Sequence, residues 1–184
     1  MSTLFVDSIQ PKTTGGNVGI TNLTPQAGSV LQLVQVVQPD TFAHNNNTFV
    51  NITGMAATIT PRSTSSKILV SSIINFGGKF NLYGYVRLLR GSTIIGEPAA
   101  DGNRQTCHAA LSSDNESNSG NAKMNVCATN FLDSPNTTSA ITYQYQIKTY
   151  SSAYFFYLNR SHDNSNNVET PRPISTVTLT EIGG

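Results

Sequence analysis

The side chains that could do chemistry in this chain are few and scattered. Three histidines, His44, His108 and His162, fall in separate segments, and none has a second His, Cys or carboxylate at a metal-ligand spacing within its own segment. Cys107 and His108 are adjacent, and neighbours on an extended strand point to opposite faces, so they diverge. Acidic residues occur singly, at Glu97, Asp101, Asp114, Glu116, Asp133, Asp163 and Glu169, whereas glycoside cleavage needs two carboxyls converging within about 5 to 9.5 Å. There is no Gly-x-Ser-x-Gly elbow, no glycine-rich phosphate cradle and no His-Glu-x-x-His pair. The expectation is a protein that is not an enzyme and uses neither cofactor nor metal.

What remains is chemistry of recognition. Three connectors are rich in asparagine, Ala43 to Asn47, Ser113 to Asn121 and His162 to Asn167. The amides of Asn45, Asn46, Asn115, Asn118, Asn164 and Asn166 both donate and accept, which suits sugar hydroxyls, although amides serve equally well to keep loops soluble without charge. A second feature is the aromatic cluster Tyr150, Tyr154, Phe155, Phe156 and Tyr157, which core or subunit packing explains better than a sugar-stacking platform does. The two cysteines, Cys107 and Cys127, read either as buried thiols or as a cross-strand pair. The loop centred on Ser117 lies ten positions from each, so a regular hairpin would set them nearly opposite one another.

Composition narrows the partners. Charged residues are 11% of the 184-residue chain, against about 25% in an average soluble protein, and Ser, Thr, Asn and Gln fill the gap. Net charge is +1 with Lys and Arg dispersed, so no basic stripe is available for nucleic acid. No apolar run approaches the ~20 residues of a membrane helix, and Met1 to Gln10 does not read as an export signal.

The elements that must position these residues are strands. Alternation of period two recurs: Ile68, Val70, Ser72, Ile74 and Phe76 fall on one side of Lys67 to Phe76, and Ile141, Tyr143, Tyr145 and Ile147 on one side of Ala140 to Tyr150. Further strands are expected at Val30 to Gln38, Thr48 to Ile52, Ala56 to Thr60, Leu82 to Arg90, Thr93 to Ile95, Gln105 to Leu111, Lys123 to Leu132, Tyr154 to Leu158 and Ile174 to Ile182. Turns are expected at Gly77-Gly78, Gly91-Ser92, Asp101 to Asn103, Asp133 to Asn136 and Asp163 to Asn167. Pro61 to Ser66 reads as a hairpin connector. The class is all-β, a sandwich or jelly roll.

Two strands are apolar on both faces. Leu69 and Ile73 on one, and Tyr83, Tyr85 and Leu89 on the other, exceed what a lone sandwich hides, and a subunit interface is the economical use for them. Residues 1–28 differ in kind. Leu4, Phe5, Val6 and Ile9, then Val18 and Ile20, make too little core to fold alone, so this arm is expected to be ordered against sister subunits or a docking protein. The sandwich domain is expected over residues 29–184.

Several segments carry a resemblance: Leu4 to Gln10, Ala27 to Gln32, Ile59-Thr60-Pro61-Arg62-Ser63-Thr64-Ser65-Ser66-Lys67-Ile68-Leu69-Val70, Leu89-Arg90-Gly91-Ser92-Thr93, and Ser175 to Ile182. In these the chain resembles bacteriophage virion proteins, particularly tail-fibre and fibre-like proteins of cyanophages and other marine phages. The resemblance implies a homotrimeric β-sandwich of jelly-roll or tumour-necrosis-factor-like type, located in the virion and made in the host cytoplasm. The resemblance supplies no ligand; the expected partners are other copies of itself and other virion proteins, with a host-surface polysaccharide if the chain is an adhesin, and neither nucleic acid nor membrane insertion. The leading expectation is a tail-fibre or receptor-binding adhesin attached through the arm. The alternative is a capsid decoration protein, cement or head fibre, on the phage head. The chain has no shaft repeats or heptads between arm and sandwich.

Overall fold

Alternating apolar and polar side chains need two sheets facing one another. In the computed structural model, which describes residues 26–79, 82–113 and 122–184, they find that arrangement with no helix among the described residues. The strands are β1 (Val30–Gln38), β2 (Phe42–His44), β3 (Val50–Ile59), β4 (Lys67–Lys79), β5 (Leu82–Arg90), β6 (Thr93–Ile95), β7 (Ala109–Ser113), β8 (Asn125–Asp133), β9 (Ile141–Thr149), β10 (Phe155–Leu158) and β11 (Ser175–Ile182). One sheet runs β1-β11-β4-β8, with β10 continuing along the β4 edge past β11 and β2 outside it. The other runs β3-β9-β5, with β6 and β7 sharing the far edge of β5. All pairings are antiparallel. Successive main strands alternate between sheets, and the first and last lie side by side, which is the strand order of a jelly roll.

The inward set on β4 is the expected one: Ile68, Val70, Ile74 and Phe76 are buried and meet Val86, Leu88, Tyr143, Tyr145 and Ile147 from the facing sheet. Several expectations change. Thr48 to Ile52 and Ala56 to Thr60 merge into the single strand β3, because an irregularity between Asn51 and Ala56, with Gly54 at φ 77°, absorbs the break. Ala43 and His44 leave the asparagine-rich connector to form β2, recruited by the free edge of β10. Gly77 and Gly78 are not a turn but lie within β4. A Cβ at Gly77 would come within 2.6 Å of the Arg160 carbonyl oxygen, so glycine admits the close approach of the next segment. Pro61 to Ser66 is not a hairpin connector either, since β3 and β4 belong to different sheets and the segment crosses between them.

Two buried polar groups hold the sheets at that crossing end. Glu181 of β11, fully buried, accepts from the Gln32 amide at 2.6 Å and from the Arg62 N–H at 2.7 Å, tying the crossing segment to the last strand. Burial pushes its carboxyl up, but Ser66, Gln32 and the Arg62 N–H outweigh that and hold it below the ordinary value. Asp133 of β8 accepts from Arg90 of β5 at 2.9 Å and from the Tyr143 hydroxyl of β9 at 2.6 Å, stapling one sheet to the other. Burial first, then the Asp133 hydrogen bond and charge, push the Tyr143 phenol far above its usual range.

These groups make the stability of the fold depend on pH at both extremes. The folded chain holds the Tyr143 proton more tightly than the unfolded chain, so its contribution is complete below pH 10.0 and is lost as pH climbs above it. The unfolded chain holds the Glu181 proton more tightly, so that contribution is complete above pH 4.5 and is lost as pH falls below it. Urea melts across pH should therefore show both limbs, with Tyr143→Phe lessening the alkaline slope and Glu181→Gln the acid one. Asp133→Ala strands both the Arg90 guanidinium and the Tyr143 hydroxyl, and should cost about 2–3 kcal/mol at neutral pH in the same melts.

Candidate functional site

The outward side chains of the two sheets differ in kind. On the β1-β11-β4-β8 sheet, register places Leu33, Thr180, Leu69 and Leu132 in one row. The next row is Gln35, Thr178, Ser71 and Asn130, followed by Val37, Thr176, Ile73 and Ala128, with Asn75 beside Val126 beyond. No charged side chain stands among them, and Lys67 marks the rim. Ile73 is 49% exposed and Val126 62%. Leu33, Val37 and Leu132 are exposed on the same face, whereas a water-facing sheet ordinarily turns polar residues outward.

The opposite outer face, on the β3-β9-β5 sheet, is charged at its centre. Arg87 lies 3.8 Å over the Phe49 ring and pairs with Glu97 at 2.7 Å. Lys148 reaches over Phe49 and Tyr85 and donates to Gln105. At one end of this face Tyr83, 50% exposed, and Tyr150, 64% exposed, come together because the Tyr150 N–H donates to the Tyr83 carbonyl at 2.9 Å. Tyr154 completes the group, with ring centroids 5.4 Å from Tyr83 and 6.0 Å from Tyr150.

The five residues expected at a subunit interface are therefore divided. Leu69 and Ile73 look outward from one sheet, and Tyr83, Tyr85 and Leu89 from the other. Patches on opposite faces of a slab propagate a row of subunits and do not close a ring, so a single closed interface cannot use both. The aromatic cluster divides as well: Phe156 and Tyr157 are buried, while Tyr150 stands out of the core. Its union with Tyr83 depends on strand pairing between β5 and the end of β9, which adjacency in sequence does not reveal.

The expected loop residues also separate. Asn45 donates to the Ser152 carbonyl at 3.1 Å, and the Asn46 carbonyl accepts from the Thr149 N–H at 2.9 Å, so the β2–β3 loop is built onto the tyrosine end. His44 braces that loop with its Nε2 at 3.1 Å from the Asn46 and Thr48 carbonyls. Asn164, which accepts from Arg172 at 3.1 Å, and Asn166 belong to the β10–β11 connector and line a shallow hollow of about 210 Å³ there. Asn115 and Asn118 lie outside the described residues, as do the arm residues Leu4, Phe5, Val6, Ile9, Val18 and Ile20. The described chain enters at Gln26, and Gly28 and Ser29 pair with Gly183, at the end of the sandwich away from Tyr150.

His108 is half-buried beside Phe131 and Tyr145; burial lowers its pKa against the opposing influence of the Gly96 carbonyl and Glu97. His162 stacks on Tyr157. Among the described residues no three of His, Cys, Asp and Glu gather as a metal cluster would. Cys107 and Cys127 are free thiols: the segment after β7 leads to the other sheet, so the hairpin that would have set them opposite one another does not form.

The protein is thus an antiparallel two-sheet sandwich with one bare face and one aromatic end. No protein-family model matches the chain, and no curated protein matches it significantly. Among solved structures it is similar to infectious bursal disease virus, Gt strain, at 13% identity and TM-score 0.43, over 91% of this chain and 42% of that one. It is similar to the VP2 subviral particle of the same virus at 14% identity and TM-score 0.41, over 90% and 42%. For the Gx strain the figures are 16% and 0.41, over 90% and 47%. The chain spans less than half the length of each of these. Likeness at this level carries neither activity nor partner across.

Burial raises both thiols above their ordinary value, with the Glu97 charge adding to it at Cys107. Electrophoretic mobility should be the same with and without reductant, and maleimide labelling at pH 7 should be slow until denaturant is added; a mobility shift on reduction would contradict the free-thiol assignment.

Proposed function

We propose that this chain is a structural subunit of a bacteriophage virion, a non-enzymatic adhesin of tail-fibre or receptor-binding type that assembles as a homotrimer and is attached through the arm of residues 1–28. The observation that carries the reading is the uncharged outer face of the β1-β11-β4-β8 sheet. Of the eleven large hydrophobic side chains exposed among the described residues, five lie on it: Leu33, Val37, Ile73, Val126 and Leu132. Four strands at ~4.8 Å spacing and about eight residues at ~3.3 Å rise give a flat area on the order of 500 Å² before side-chain relief is counted. That approaches the ~800 Å² per partner of a stable interface. The face belongs on the assembly axis, with Leu69 and Ile73 in the contact, and Tyr83, Tyr85 and Leu89 then look outward.

Further support comes from the segments that resemble phage fibre proteins. Two of them, Ile59 to Val70 and Ser175 to Ile182, meet through the Glu181 to Arg62 hydrogen bond, so the resemblance follows the frame of the fold and not only its loops. Chain entry at Gln26 and the loops around Asn45, Asn46 and Tyr150 lie at opposite ends of strands about nine residues long, a separation of ~30 Å. A decoration protein on the head would use the same face and arm, but this polarity favours a subunit held at one end and presenting the other outward to a host-surface polysaccharide.

Native mass spectrometry should give a species of three times 19.7 kDa. Ile73→Lys should convert it to monomers with unchanged strand content by circular dichroism; a monomeric wild type would overturn the assembly. Deletion of residues 1–25 should leave trimers that fail to enter particles, with labelling of intact virions locating the wild-type chain on tail or head.

A further inference from the structure

We propose that Tyr83, Tyr150 and Tyr154 form a binding site for an uncharged sugar ring; this rests on the adhesin reading and names the site through which it would act. A pyranose is amphipathic in a particular way, with C–H groups on its faces and hydroxyls around its rim. A tyrosine offers the match, an apolar ring and a polar tip. Three of them side by side, two at least half exposed, are costly to leave against water unless something covers them.

The geometry is fixed before any ligand arrives. The rings brace one another edge to face, at interplanar angles of 71° for Tyr83 with Tyr150, 79° for Tyr83 with Tyr154, and 65° for Tyr150 with Tyr154. The backbone beneath is equally constrained. The Tyr150 N–H is bonded to Tyr83, and the turn that carries Tyr154 is closed by its N–H on the Ser151 carbonyl at 3.1 Å and by the Thr149 hydroxyl on that same carbonyl at 3.0 Å. Little side-chain freedom is left to lose on binding.

Size and charge select the occupant. The hollow lined by Tyr83, Tyr85 and Tyr150 measures about 230 Å³, below the ~300–1,000 Å³ of sites for drug-sized molecules, so it holds one small ring of a longer chain. Lys148, which reaches over Tyr85, is already engaged by Gln105 and Phe49, and so does not call for an anion. The Asn45 amide donates to the Ser152 carbonyl, in the turn between Tyr150 and Tyr154. The site lies at the end away from Gln26 and on the face opposite the proposed assembly face, where trimer formation leaves it open.

The full chain would be titrated with methyl glycosides of glucose, galactose, mannose and N-acetylglucosamine, observed by saturation-transfer NMR, as wild type and as Tyr150→Ala, Tyr83→Ala, Tyr150→Phe and Asn164→Ala. Circular dichroism would verify each fold. The expected result is saturation transfer to at least one glycoside, weakened about tenfold by either alanine variant, as loss of one stacking ring does, and retained in Tyr150→Phe and Asn164→Ala. Binding that survives both tyrosine-to-alanine changes would overturn this site while leaving the adhesin reading standing. No transfer to any glycoside from wild type would overturn the site and remove the glycan-binding part of that reading with it.

Discussion

Strand β4 is the constraint from which the rest of the molecule follows. Thirteen residues long, it is flanked by β11 and then β10 along one edge and by β8 along the other, so three strands take their register from it. Its alternation sends Ile68, Val70, Ile74 and Phe76 into the core and Leu69, Ser71, Ile73 and Asn75 outward. A slip of one residue would exchange the two sets and put the oily face of every paired strand into water. The glycines near its end extend this role, since Gly77 lets the β10–β11 connector pass against the strand where any side chain would collide.

Because successive strands change sheets, the ends of the sandwich bear the strain of connection, and the chain spends its few charges there. Glu181 satisfies the N–H of Arg62 in the segment that crosses from β3 to β4, and Asp133 joins β8 to β5 and β9. Each carboxylate is buried while Arg62 and Arg90 reach toward solvent, so loss of a hydrogen bond would leave a buried acceptor unsatisfied. At the other end an uncharged knot does the equivalent work: Asn159, fully buried and at φ 55°, donates to the Gln38 and Asp40 carbonyls and accepts from Ser175. A chain with only 11% charged residues therefore places several of them where a connection must be held, and covers its faces with Thr, Ser, Asn and aliphatic side chains.

That economy gives the two faces their different character. The outer face of the β4 sheet carries no charge within its rows, while the opposite face carries Arg87 and Lys148, both engaged with Glu97, Gln105 and aromatic rings. One side suits packing against another copy, because nothing on it must be desolvated at great cost; the other remains compatible with water. The tyrosines at the end of the second face share its orientation, and the two proposed functions, assembly and sugar contact, thus occupy surfaces that do not compete.

Much of the frame was legible in the residues alone. Period-two alternation marked β1, β4, β5, β9 and β11 close to their observed limits, since burying one face of a strand imposes that period whatever the sheet order. The apolar second faces of β4 and β5 were legible for the same reason, as was the thinness of charge. What alternation does not encode is which strand lies beside which. So the sequence suggested a hairpin at Pro61 to Ser66 where the chain changes sheets, a turn at Gly77-Gly78 where the strand continues, and two cysteines facing one another where they part. It likewise grouped Leu69 and Ile73 with Tyr83, Tyr85 and Leu89, which the sandwich places back to back. Local pattern fixes the face a side chain takes; only long-range pairing brings Tyr83 to Tyr150 or Glu181 to Arg62, because those partners are 67 and 119 residues apart and meet through hydrogen bonds between segments that no local period connects.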